Sequence, residues 1–165
     1  MVVAGSASGI GKAIGERFVA EGALAAIADL NVETANTTAL ELNAESPGRA
    51  PGMAMDVAAV NAGIAAVVAT FGGVDILIAN AGIQIVHKIQ GFPFDDWKKL
   101  LAIHLDGAFL TSKACLPHIH AKGSGSIIFM GCVHCKQGSP LKSAHVVAKH
   151  GPIGLCKVIA KEAAA

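Results

Sequence analysis

A chain of 165 residues with 53% hydrophobic and 15% charged residues is long enough to bury a core and too apolar to be disordered. Its net charge of +1, with acids and bases interspersed, lacks the basic stripe of a nucleic-acid binder and excludes that class. The longest weakly polar run, Ala62–Val74, is broken by three glycines and a threonine and stops at Asp75, which is too short to span a bilayer.

Short apolar runs alternate with amphipathic stretches along the whole chain. Val2–Ala4 reads as a strand, Ile10–Glu21 as a helix ended by Gly22, Leu24–Ala28 as a second strand and Val32–Asn43 as a second helix. After a loop at Ser46–Gly52 come a short strand at Met53–Met55, a helix at Val57–Phe71 and a fourth strand at Val74–Ala79. Pro93–Ala121 is expected to form one long helix with His118, His120 and Lys122 near its end, then a fifth strand at Ser126–Met130 and a last helix at Ser143–Ala164. Strands alternating with helices of this length predict βαβ units and an α/β, doubly wound parallel sheet with helices on both faces, in a single domain over residues 1–165. A fifth parallel strand would have one uncovered edge, and the chain stops on its last helix. The expectation is a fold truncated at its C-terminus.

The segment Gly5-Ser6-Ala7-Ser8-Gly9-Ile10-Gly11 follows a strand and opens a helix. Glycines there allow a tight turn and bring backbone N–H groups, at a helix N-terminus, against a pyrophosphate. Asp29 ends the second strand, where a carboxylate binds a ribose diol and repels a 2′-phosphate, so NAD is expected as cofactor. Asp29 also reads as part of a helix-start turn with Asn31.

The glycine spacing, three residues between the first pair and one between the second, resembles the Rossmann-type turn of the short-chain dehydrogenase/reductase family. Asp56-Val57, Asn80-Ala81-Gly82 and Lys149-His150-Gly151 fall in the order of that family's further landmarks, and the resemblance covers essentially all of the chain. It implies cofactor contacts at Gly5, Ser8, Gly9, Ile10, Gly11, Asp29, Asp56, Val57, Asn80, Ala81, Gly82 and Lys149. Asn80 to Gln84, Phe92-Pro93 through Trp97, Leu116-Pro117-His118 and Ala148 to Gly151 resemble, within the family, the 3-hydroxybutyrate dehydrogenases. That likeness implies oxidation of 3-hydroxybutyrate to acetoacetate, with Gln84, His134 and Lys142 holding the substrate carboxylate. Singly, these three read equally as a loop residue, a turn residue and a solvated charge.

The family's catalytic pattern is altered. Its proton-moving Tyr, oxygen-binding Ser and relay Asn correspond to His145, Cys132 and His104, and only Lys149 is retained; the chain contains no tyrosine. An imidazole shuttles protons near neutral pH but is shorter than a phenol, and a thiol donates weakly. Impaired or absent turnover is therefore expected, with cofactor binding kept.

Two other readings stay open. One is a non-catalytic NAD-binding or assembly protein, a homo-oligomer (a homotetramer by resemblance) built through helices 93–121 and 143–164. The other is a metal or thiol-redox site at Cys132-Val133-His134-Cys135, although a second C-x-x-C is missing. Cys115 and Cys156 read as core or interface fillers. Four cysteines with no basic segment ahead of the first strand favour reduced thiols and a cytoplasmic location.

Overall fold

The computed structural model describes residues 1–56 and 59–163. Five short apolar runs form strands: β1 (Val2–Ala4), β2 (Ala26–Asp29), β3 (Gly52–Ala54), β4 (Ile76–Ala79) and β5 (Ser126–Phe129). All pair in parallel, in the order β3-β2-β1-β4-β5. Parallel neighbours need crossover connections. Helices α1 (Gly9–Ala20), α2 (Val32–Glu45), α3 (Val60–Phe71), α4 (Phe94–Leu101) and α5 (Gly107–Lys122) supply them, and α6 (Ser143–Glu162) follows β5.

Side chains alternate across a strand, so each strand feeds two cores. Val3, Ile27 and Ile78 pack with Val19 of α1 and Leu42 of α2 on one face. Val2, Ala26 and Leu77 pack with Ile64 of α3 and Cys115 of α5 on the other. Burying each Val, Ile or Leu stabilises by roughly 1.5–3 kcal/mol. The doubly wound parallel sheet expected from the alternation is thus observed. A third, smaller cluster joins Leu100 of α4 to Ala144 and Ala148 of α6.

Local chemistry sets the helix limits. Asn31 caps α2 by accepting from Thr34 N at 3.1 Å. Its buried residues, Ala35, Thr38, Ala39 and Leu42, form one face at helical spacing. α3 and α5 both end on left-handed glycines, Gly72 and Gly123.

Most boundaries fall within one or two residues of the sequence expectation. β2 starts at Ala26 because Leu24 is exposed and outside the buried alternation. β3 lies at Gly52–Ala54, a residue early, β4 starts at Ile76, and β5 ends at Phe129. α1 begins at Gly9 and α2 extends to Glu45. α3 begins at Val60; its expected start, Val57, lies outside the described residues, as does Ala164 at the end of α6.

The larger correction concerns Pro93–Ala121. Pro93 is the N-cap of α4, and the helix is interrupted at Ala102–Asp106 by a π-helical stretch before α5. A π turn holds one residue more than an α turn and so rotates the facing of the residues after it. Here it contains His104, which is buried. α6 crosses this stretch closely: a Cβ on Gly151 would lie 2.3 Å from Leu105 Cδ2.

Two glycine substitutions test this account. A Cβ on Gly11 would lie 2.1 Å from Gly5 O and 2.6 Å from Asn80 Nδ2. Gly11→Ala is expected to lower unfolding free energy by about 1–3 kcal/mol in urea titration. Gly154, in exposed α6 with nothing within 4 Å of its added Cβ, should gain roughly 0.5–1 kcal/mol as Gly154→Ala.

Candidate active site

The strand order reverses between β1 and β4, where open parallel sheets form a crevice beyond their C-terminal ends. A cleft of about 710 Å³ lies there. Its first wall is the turn between β1 and α1. Gly5 has φ +70°, and a Cβ on it would lie 2.7 Å from Ala81 Cα, so only glycine fits. Gly9 has φ +57° but nothing within 4 Å of an added Cβ, leaving that edge of the turn open. Lys12 N–H donates to Ser8 O at 3.2 Å as the first helical bond. The N–H groups of Gly9, Ile10 and Gly11 therefore have no partner within α1, and Ser8 makes no side-chain cap. An uncapped helix start of this kind suits an anion.

The turn is tied to three strands. Fully buried Ser6 donates through Oγ to Val3 O at 2.7 Å and accepts from Ala28 N at 3.0 Å. Asp29 accepts from Ala7 N at 3.0 Å through Oδ2 and from Asn31 N at 3.4 Å through Oδ1. Asp29 thus closes the helix-start turn with Asn31 and also lines the cleft. Asn80 Nδ2 donates to Gly5 O at 2.9 Å.

At the far end of the same cleft sit Cys132, His145 and Lys149. Cys132 caps a 3₁₀ turn, Val133–Cys135, three residues beyond β5, and its Sγ is 3.8 Å from His145 Nε2. The His145 ring stands edge-on to His104 and to His134, at centroid distances of 5.4 and 5.5 Å. His104 Nε2 lies 2.8 Å from Ile83 O and 3.1 Å from Ile83 N. Lys149 Nζ donates to Met130 O at 2.7 Å.

Burial lowers the pKa of both His104 and His145 below the usual imidazole range. At His104 a backbone bond to Ile83 partly offsets this, while the charges of Lys149 and the neighbouring groups lower both further. Both rings are therefore neutral at pH 7. Lys142 Nζ is 3.4 Å from His134 Nε2. The ammonium can only donate, so the proton of a neutral His134 is on Nδ1, which is buried without a partner among the described residues.

The family model for short chain dehydrogenases matches residues 1–165. The chain belongs to the short-chain dehydrogenase family. It is 36% identical to a D-beta-hydroxybutyrate dehydrogenase of Rhizobium meliloti (strain 1021), over 99% of this chain and 65% of the relative. It superposes with a TM-score of 0.95 on sorbitol-6-phosphate 2-dehydrogenase from Erwinia amylovora, at 33% identity, covering 99% of this chain and 66% of that one. A gluconate 5-dehydrogenase from Burkholderia cenocepacia J2315, solved with NADP and tartrate, gives a TM-score of 0.92 at 32% identity, over 98% of this chain and 64% of that one. The chain thus spans just under two thirds of the length of these relatives.

Short-chain dehydrogenases bind nicotinamide cofactors, and the residues read from the sequence for that role converge here. Gly5, Ser8, Ile10, Asp29, Asp56 and Asn80 line the cleft, as do Ala81, Gly82 and Lys149. Gly11 is instead packed beneath the turn, against Gly5 O. Val57 lies outside the described residues. Of the residues expected to meet substrate, Gln84 lines the cleft; His134 and Lys142 pair with each other and reach it through His145.

Sequence reading missed Ser6 and Ile83. Ser6 was hidden because its role is to bond backbone on two strands. Ile83 acts through its peptide group, which leaves no residue-type signal. Among the described residues, no group of three His, Cys, Asp or Glu is placed to hold a metal ion.

The buried neutral imidazoles set a pH dependence. Because His104 and His145 bind protons less readily folded than unfolded, their stabilisation is complete above the unfolded value of 6.5. It is lost as pH falls from there toward the folded values. Thermal melts between pH 8 and 5.5 should show Tm falling with acidity, less steeply in His104→Asn and His145→Phe. Parallel curves for parent and variants would refute the assignment.

Proposed function

We propose that this chain binds NAD in the cleft and oxidises a small 3-hydroxy acid, 3-hydroxybutyrate to acetoacetate, at a reduced rate. One observation carries the reading: a single cleft runs from Asp29 and the glycine turn to Cys132, His145 and Lys149. Dinucleotide-holding and proton-moving groups thus share one cavity. The fit to the cofactor rests on the uncapped start of α1, the open edge at Gly9 and the Asp29 carboxylate at the cleft wall. When bound, the nicotinamide supplies the hydride acceptor.

The chain's own residues do the rest. His145, neutral at pH 7, accepts the hydroxyl proton at a ring nitrogen. Cys132 donates weakly to the reacting oxygen, Lys149 holds the ribose, and buried His104 stacks against His145 to keep its ring in place. Gln84, with the Lys142–His134 pair, binds the carboxylate. The imidazole is shorter than the family's phenol, and a misplacement of roughly 1 Å costs on the order of 100-fold.

Binding without turnover, a non-catalytic NAD-binding or assembly role, is the second reading. It is favoured by exposed apolar residues on the long helices: Phe94 and Phe109 on α4 and α5, Val147 and Val158 on α6. These faces would join copies of the chain, which light scattering tests. A cytoplasmic location belongs to the same reading. No helix of the described residues is long and apolar enough to cross a membrane.

Calorimetric titration is expected to show NAD⁺ binding more tightly than NADP⁺. Asp29→Ala should shrink that preference by on the order of tenfold, equivalent to about 1.4 kcal/mol. In assays with 3-hydroxybutyrate, Cys132→Ser combined with His145→Tyr should raise turnover by roughly 100-fold over the parent; an unchanged rate with cofactor bound would select the non-catalytic reading. In the parent, oxidation should fall as pH drops through the His145 pKa, below 6.5. Reduction of acetoacetate should rise over the same range, because it needs the imidazolium.

A further inference from the structure

We propose that Cys132 and Cys135 form a hydroperoxide-sensitive dithiol whose closure to a disulfide withdraws the cleft's thiol donor. The two residues are held together at the ends of one turn. Cys135 N–H donates to Cys132 O at 2.9 Å, closing a turn, and such a turn keeps its end Cα atoms within about 7 Å, overlapping the roughly 4.4–6.8 Å span of disulfides. Cys132 N–H donates to Cys135 Sγ at 3.3 Å. The Cys135 sulfur is thus folded back over the backbone of Cys132. A Cβ on Gly131 would come within 3.0 Å of Cys135 Sγ, so glycine gives that sulfur its room.

The two thiols differ in setting. Cys132 is exposed and Cys135 half-buried, which separates an attacking from a resolving cysteine. His145 Nε2, 3.8 Å from Cys132 Sγ, is a neutral base positioned to take the thiol proton. The Cys132 thiolate attacks an oxygen of hydrogen peroxide: the S–O bond forms, the O–O bond breaks, and the leaving hydroxide takes up that proton. Cys135 then attacks the sulfenic sulfur, the S–S bond forms, the S–O bond breaks, and water departs with the Cys135 proton. Two thiols are oxidised by two electrons, and one peroxide is reduced to two waters. The disulfide leaves no S–H at Cys132 to face His145.

This assignment does not depend on dehydrogenase activity, and its test reads mass. The chain carrying Cys156→Ser, which removes the other exposed thiol, is treated with a slight excess of hydrogen peroxide. The expected result is a loss of about 2 Da, reversed by dithiothreitol, with Cys132 and Cys135 in one cross-linked peptide. Cys115, whose thiol burial pushes up to about 12, should stay reduced as the internal reference. Adding Cys135→Ser should leave a Cys132 sulfenic acid that dimedone captures. In the parent chain, peptide mapping should show Cys132 reacting several-fold faster than Cys156. Equal rates at Cys132 and Cys156, or oxidation of Cys132 only to sulfinic acid without a cross-link, would overturn the proposal.

Discussion

The pressing of the turn after β1 against the segment after β4 is the constraint on which the cleft depends. At Gly5 there is no room for a Cβ between the turn and Ala81, and at Gly11 none between α1 and the Gly5 carbonyl. A buried turn must satisfy its backbone from outside itself. Ser6 bonds to β1 and β2, Asp29 reaches from the end of β2 to Ala7, and Asn80 reaches from β4 to Gly5 O. Held from three strands, the start of α1 can point only into the crevice where the strand order reverses.

From there a continuous series of close contacts leads to the chemical end of the cleft. Ala81, against Gly5, is followed by Gly82, where a Cβ would lie 2.5 Å from His104 Cε1. His104 bonds the next peptide, at Ile83, and stacks edge-on to His145, which faces Cys132. The π-helical stretch is part of this series: it holds His104 inside, and Gly151 lets α6 approach closely enough to bring His145 alongside. The two halves of the site are thereby positioned by one line of packing, although they lie far apart in the chain.

How much of this was legible depended on whether the physics leaves a trace in residue type. The alternation of apolar runs and helical faces is written in side chains, so the doubly wound sheet could be read. The glycine turn could also be read, because Gly5 and Gly9 answer to positive φ. The π stretch could not: its apolar spacing continues that of α4 and α5, and no proline or glycine marks its start at Ala102. The pairing of Lys142 with His134 rather than with solvent, and the contact of Cys132 N–H with Cys135 Sγ, arise from loops whose path no periodicity encodes. The nearness of His104 and His145 was readable only through the family resemblance; in the structure it depends on α6 crossing the π stretch.

The composition of that cluster decides what chemistry it favours. The charges that shift His104 and His145 come from lysines or other imidazoles, and burial acts in the same direction. Each ring therefore resists gaining a proton, and the first one protonated would make the next harder to protonate. Such a site holds its rings in the unprotonated form near neutral pH and is poorly stocked with protons to give. By the family resemblance, a thiol and an imidazole stand where the pattern has an alcohol and a phenol, which has a second consequence. The hydroxyl groups of the family pattern are inert to oxidants, whereas a thiol beside a neutral base, three residues from another thiol, is not. On the proposed reading the glycine-packed half of the cleft holds the dinucleotide, while the half built on the turn after β5 carries softer, oxidisable groups in place of the family's strong hydrogen-bond donors.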